Sequence, residues 1–162
     1  MLFETPRLFV TKWKKGDLDS LYQLFDDPAI KEFILPRLTI EETTHIFQAQ
    51  LTAYNASFPF GRYFIIEKES QEKIGLFLLK EMKDGIEIGY SLKKEHWNKG
   101  FATEIVRESI TWIQELKKFD TVYAVTATDN INSQNVLIKS GFTLQENFLE
   151  NGKEMSLFQK DT

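Results

Sequence analysis

The sequence predicts an α/β (α+β) domain built on a mixed sheet, with the element order β-α-α-β-β-β-α-β-α-β-β. Three observations lead there. Segments that alternate every two residues are interleaved with segments of helical period. Asp84-Gly85 and Asn151-Gly152 supply tight hairpin turns between some strands, while helices separate others. The 162 residues suit one domain, 1–162, large enough to bury a core without staples. About seven strands and about four helices result.

Residues 8–13 read as the first strand, preceded by Thr5-Pro6-Arg7. Gly16-Asp17 opens a helix with Leu18, Leu21, Tyr22 and Phe25 on one face, and Asp26-Asp27-Pro28 closes it, because proline disfavours a helical residue before it. A second helix spans 39–54, where Thr39 and Glu42 form a capping box. Strands follow over 62–68, 73–81 and 86–92, the last two joined at Lys83-Asp84-Gly85. On the third of these, Ile86, Ile88, Tyr90 and Leu92 share one face while Glu87, Gly89 and Ser91 share the other. The long amphipathic helix over 100–117 buries Ala102, Ile105, Val106, Ile110, Ile113 and Leu116. After a β-branched strand over 121–126, a short helix over 132–140 stops at Gly141, which accepts positive φ. Strands over 142–149 and 153–159 flank the Asn151-Gly152 turn.

Composition removes several function classes. There is no Cys, which excludes disulfides, thiolate nucleophiles and Cys-based metal sites. Two His, His45 and His96, do not make a histidine-rich centre, and no metal is expected. A net charge of −4 argues against nucleic acid, which needs a basic stripe, and is compatible with a cationic amine substrate. No apolar run approaches the roughly 18 residues of a membrane span. The start MLFETPRLFVTKW lacks signal-peptide organisation, so the cytoplasm is the expected location.

The segment His96-Trp97-Asn98-Lys99-Gly100-Phe101-Ala102-Thr103-Glu104 leads from the Glu87 strand into the long helix. Glycine lets backbone approach a ligand closely, and the first-turn N–H groups have no partner within the helix. With the positive end of the helix dipole they make an anion site. The dipole alone contributes roughly 0.3–1 kcal/mol at an exposed end, so several amides converging on a pyrophosphate matter more, and Lys99 can add charge. Neither a P-loop nor a Gly-x-Gly-x-x-Gly run is present.

Four motifs occur in order: Thr5-Pro6-Arg7-Leu8, Glu87-Ile88-Gly89-Tyr90, Trp97-Asn98-Lys99-Gly100-Phe101-Ala102-Thr103-Glu104, and Asn130 through Ser133 and Lys139 to Gly141-Phe142. Together they resemble the GCN5-related N-acetyltransferase (GNAT) superfamily, and within it the ribosomal-protein N-terminal acetyltransferase (RimJ/RimL-type) group. The resemblance implies a mostly antiparallel central sheet and acetyl-coenzyme A as co-substrate, without a metal. It implies that Asn98, Lys99, Gly100, Phe101, Ala102 and Thr103 wrap the pyrophosphate. Tyr90, Ser91 and Leu92 would pair with the pantetheine arm as an added strand would, and Asn130 would bond it. The superfamily's commoner loop begins with Gln or Arg where Trp97 stands, a departure usual in this subgroup.

Acetylating an amine requires a base, because an ordinary primary amine with pKa about 10.4 is protonated at neutral pH. Glu87 matches a position where many members carry a catalytic Glu, acting directly or through water; the plainer alternative is a solvent-facing strand carboxylate. Ser133 resembles the serine credited with protonating the leaving thiolate and also contacts the cofactor; alternatively it bonds its own helix backbone. The Tyr that many members place in this helix is replaced here by Leu137. Trp97 is expected to pack, Arg7 to make a structural salt bridge, Glu41 and Glu42 to form a solvated first turn, and His96 to be solvated or, less favourably, to serve as base. Phe58-Pro59-Phe60-Gly61 either shapes the acceptor pocket, drawn from residues 26–60, or belongs to the core. The acceptor class is an amine on a protein N-terminus or small molecule, and a homodimer is compatible with the resemblance. The competing function is a coenzyme A–binding regulatory or interaction module without turnover.

Overall fold

The computed structural model describes residues 1–32 and 38–162. Eight strands and five α-helices occur among them: β1 Phe3–Glu4, β2 Leu8–Lys12, α1 Leu18–Asp26, α2 Pro28–Lys31, α3 Ile40–Ala53, β3 Gly61–Glu67, β4 Lys73–Met82, β5 Gly85–Leu92, α4 Phe101–Leu116, β6 Thr121–Ala127, α5 Ile131–Lys139, β7 Thr143–Glu150 and β8 Lys153–Asp161. A 3-10 turn, Lys94–His96, precedes α4. The strands form one mixed sheet in the order β1-β2-β3-β4-β5-β6-β8-β7. Its β1–β2, β2–β3, β6–β8 and β7–β8 pairs are antiparallel, and β5–β6 is parallel. No helix among the described residues is long and apolar enough to cross a membrane.

Two compact units divide this chain: 1–78 with 90–101, and 79–89 with 102–162. In the first, Trp13 stacks on Phe47 at 5.8 Å and leans on Phe64 at 5.7 Å, while Phe3 meets Phe77 edge-on at 5.4 Å. Such aromatic pairs add about 0.5–1.5 kcal/mol each to area burial. The buried side of α1 is Leu21 and Leu24, whereas Leu18, Tyr22 and Phe25 are half-buried, so the apolar stripe lies rotated from the expected face. The expected capping box is present, with Thr39 Oγ1 accepting from Glu42 N and Glu42 Oε2 from Thr39 N. Glu41 and Glu42 are exposed in that first turn. In the second unit Ile105, Val106, Ile110 and Ile113 of α4 are buried, while Ala102 and Leu116 reach only half-burial. Gly141 ends α5 at φ +89°, as expected.

Two elements depart from expectation. The short strand β1 pairs Phe3 with Val10 and Glu4 with Phe9, so Thr5-Pro6-Arg7 is a hairpin turn. Asp27-Pro28 ends α1 and also starts α2: Asp27 Oδ1 accepts from Ala29 N and Ile30 N, and Pro28 occupies the first helical position. A proline tolerated there loses no helical hydrogen bond. Residues 33–37, part of the 26–60 region expected to shape an acceptor pocket, lie outside the described residues.

Candidate active site

The segment between the 3-10 turn and α4 turns left-handed twice. Asn98 has φ +59° and Gly100 φ +81°, both left-handed, and α4 starts at the next residue. Asn and Gly are the residues that tolerate this region, and left-handed residues in close succession turn consecutive N–H groups toward one concavity. The first-turn amides of α4 follow directly, with no earlier helical carbonyl to bond. A Cβ on Gly100 would meet only Arg7 Nη2, at 3.4 Å, so conformation rather than space requires glycine there.

Arg7 braces this loop. Leu8 N donates to Thr5 Oγ1 at 2.9 Å, and Thr5 N donates to Leu8 O at 2.9 Å, which closes the β1–β2 turn. From its tip Arg7 Nη1 donates to Lys99 O at 3.0 Å, and the guanidinium lies 4.4 Å from the Phe101 ring centroid. The Thr-x-Arg-Leu motif therefore fixes the loop across 92 residues of sequence. The sequence points to a structural salt bridge for Arg7; the contacts seen here are with a loop carbonyl and an aromatic ring, partners the motif alone does not name.

On the strand before the loop, Trp97 Nε1 donates to Leu92 O at 2.8 Å, so Trp97 packs down on β5 and joins strand end to loop. Tyr90 and Ser91 are half-buried and Leu92 is buried. A Cβ on Gly75 would lie 2.2 Å from Ser91 O, so glycine permits this close passage of β4 and β5. The parallel register of β5 with β6 comprises Ile86↔Val122, Glu87↔Tyr123 and Ile88↔Ala124, while β5 itself continues to Leu92. His96, expected to be solvated, is instead 6% exposed beside the Phe101 ring.

In the second unit Glu87 is 5% exposed, which overturns the solvent-facing alternative. Lys80 Nζ stands 3.0 Å from its Oε2 as an ion pair. Burial pushes the Glu87 carboxyl above its ordinary range; Lys80 pulls it down, and Glu150 adds to the rise. Counting equal steps from the Lys83-Asp84 turn sets Lys80 opposite Glu87, so the pair was findable in the sequence. A buried carboxylate with a raised pKa is better matched to proton abstraction near neutral pH than an ordinary one.

Asn130 caps α5, its Oδ1 accepting from Ser133 N at 3.1 Å. The two residues named for the cofactor arm and the leaving thiolate are thus joined, and the Asn130 amide N–H pair is the part of that side chain the cap does not use. Ser133 is half-buried in the first turn, and Leu137 is buried where a helix Tyr would stand. Ala102 and Thr103, in the first turn of α4, are half-buried.

Comparison with known proteins agrees with this arrangement of elements. The Acetyltransferase (GNAT) domain model matches residues 7–143. The uncharacterized N-acetyltransferase YoaA of Bacillus subtilis (strain 168) is 26% identical over 93% of this chain and 90% of its own length. The uncharacterized N-acetyltransferase YjdG of the same organism is 30% identical over 93% of this chain and 94% of its own. The solved structure of RimL, a ribosomal L7/L12 alpha-N-protein acetyltransferase in complex with coenzyme A, superposes with a TM-score of 0.84 at 16% identity, covering 99% of this chain and 97% of that one. With a family model spanning Arg7 of the bracing turn, Glu87, the left-handed loop and the capped Asn130–Ser133 turn, the chain belongs to the GNAT acetyltransferases.

Proposed function

We propose that this enzyme transfers the acetyl group of acetyl-coenzyme A to a primary amine, on a protein N-terminus or a small molecule. The observation that carries the reading is the loop of left-handed Asn98 and Gly100 running into α4, in a chain of a family named for acetyl transfer. Backbone amides of residues 98–103 hold the pyrophosphate, and Lys99 adds a positive charge. The edge of β5 at Tyr90, Ser91 and Leu92 pairs with pantetheine, and the Asn130 amide donates to it. Glu87 takes a proton from the incoming ammonium, directly or through water. The neutral nitrogen attacks the thioester carbonyl carbon, and as the C–S bond breaks the departing thiolate takes the Ser133 hydroxyl proton; the acylated nitrogen sheds its extra proton to solvent, which returns one to the Ser133 oxygen. An N-terminal amine is supported as acceptor by the likeness to RimL, whose stated substrate is ribosomal L7/L12.

The test is release of free coenzyme A thiol with a panel of peptides, polyamines and amino sugars. At least one amine should raise thiol release well above solvent hydrolysis, and Ser133→Ala should lower kcat by about 10²-fold while leaving coenzyme A affinity within a few-fold. Tight coenzyme A binding with no amine-dependent release would instead mark a module without turnover.

A further inference from the structure

We propose that Glu72, Glu95 and His96 form a divalent-cation site. Glu72 lies just before β4, and Glu95 and His96 lie in the 3-10 turn, all within the first unit. His96 Nε2 stands 3.7 Å from Glu72 Oε2 and 3.6 Å from Glu95 Oε1, and the three donor atoms lie within 4.8 Å of one another. Metal bonds of about 2.1 Å at tetrahedral angles separate ligand atoms by about 3.4 Å, so these gaps are close to those an ion would set. They are too long for hydrogen bonds.

A second observation points the same way. The imidazole is more than nine-tenths buried, and neither ring nitrogen has a hydrogen-bond partner among the described residues. A buried polar atom without a partner is costly, and one aimed at two carboxylate oxygens calls for a cation between them. One imidazole and two carboxylates suit zinc or manganese and balance a dication's charge. The neighbouring charges are Lys93, whose ammonium binds the other oxygen of Glu72, and Lys99. These ammonium groups moderate affinity for a dication. The expectation of no metal rested on the scarcity of His and the absence of Cys; a site supplied mainly by carboxylates escapes that count. An ion there would tie the entrance of β4 to the turn from which Trp97 and the loop emerge.

The composition makes the test clean, since two imidazoles and no thiol are present. Titrating the full chain with zinc chloride should shift the imidazole NMR signals of His96 and leave those of His45 in place. Cobalt chloride should give the visible bands of a low-coordinate ion. Glu95→Gln changes a side chain 68% exposed, where folding is not at stake, and should weaken zinc binding at least about tenfold. Signals of His96 that titrate with pH but ignore zinc would assign a proton rather than a metal to this cluster and overturn the proposal. So would zinc binding unchanged by Glu95→Gln, or a response confined to His45.

Discussion

Replacing Glu87 by Gln removes a buried carboxylate from β5 while keeping the size and planar shape of the side chain. An ordinary primary amine lies about three pKa units from its reactive form at pH 7, on the order of 4–5 kcal/mol. A positioned base contributes about 10²–10⁴-fold. Glu87→Gln should therefore lower kcat/KM for the amine by about 10²–10³-fold, with coenzyme A affinity unchanged. In the parent enzyme, activity should rise with pH as Glu87 loses its proton, at a pH above the ordinary carboxylate range because burial dominates its environment. Lys80 opposes the shift, but its side chain is 55% exposed and solvent weakens the attraction. Stability carries the same signature. A carboxyl whose folded pKa is raised contributes fully below the unfolded value of about 4.3 and loses that contribution as pH rises through the folded value. The Gln variant lacks this loss, so its Tm relative to the parent should climb with pH. Thiol release and thermal unfolding, both measured from about pH 4 to about pH 8, read the two effects. A variant within about threefold of the parent, retaining the same acid limb, would refute the assignment of Glu87 as base.

Gly100→Ala places a side chain at φ +81°. It should cost about 1–2 kcal/mol in urea unfolding and weaken coenzyme A binding, read by calorimetry, without altering affinity for the amine. Gly75→Ala sets a Cβ 2.2 Å from Ser91 O. A loss of about 3 kcal/mol follows, and a Tm lower by about 6–12 °C in calorimetric scans.

Most of the fold could be read from period and turn chemistry, because those signals are local. Thr39 and Glu42 announce a capping box within four residues, and Lys83-Asp84-Gly85 announces its hairpin. Legibility fails where a residue's meaning depends on chain far away. Alternation assigns Glu87 to the face of Gly89 and Ser91 and leaves a solvent-facing carboxylate open beside the candidate base; only tertiary packing decides that this position is covered. His96 fails for the same reason. Arg7 and Lys99 are 92 residues apart, and no local pattern reveals that one donates to the other's carbonyl. Pro28 illustrates an ambiguous local signal: it forbids continuing α1, yet its fixed φ suits the start of α2. The loop was legible as a helix start after glycine, while the left-handed turn at Asn98 was visible only in the structure.

The central claim is that the amides of residues 98–103 hold a pyrophosphate. Titration of the isotope-labelled protein with coenzyme A, followed amide by amide in two-dimensional NMR and compared with pantetheine alone, addresses it directly. Coenzyme A should produce the largest shifts at Asn98, Lys99, Gly100 and Thr103, and pantetheine should move Tyr90, Ser91 and Leu92 while leaving the loop amides unshifted. Saturating coenzyme A with those loop amides unmoved would contradict the claim.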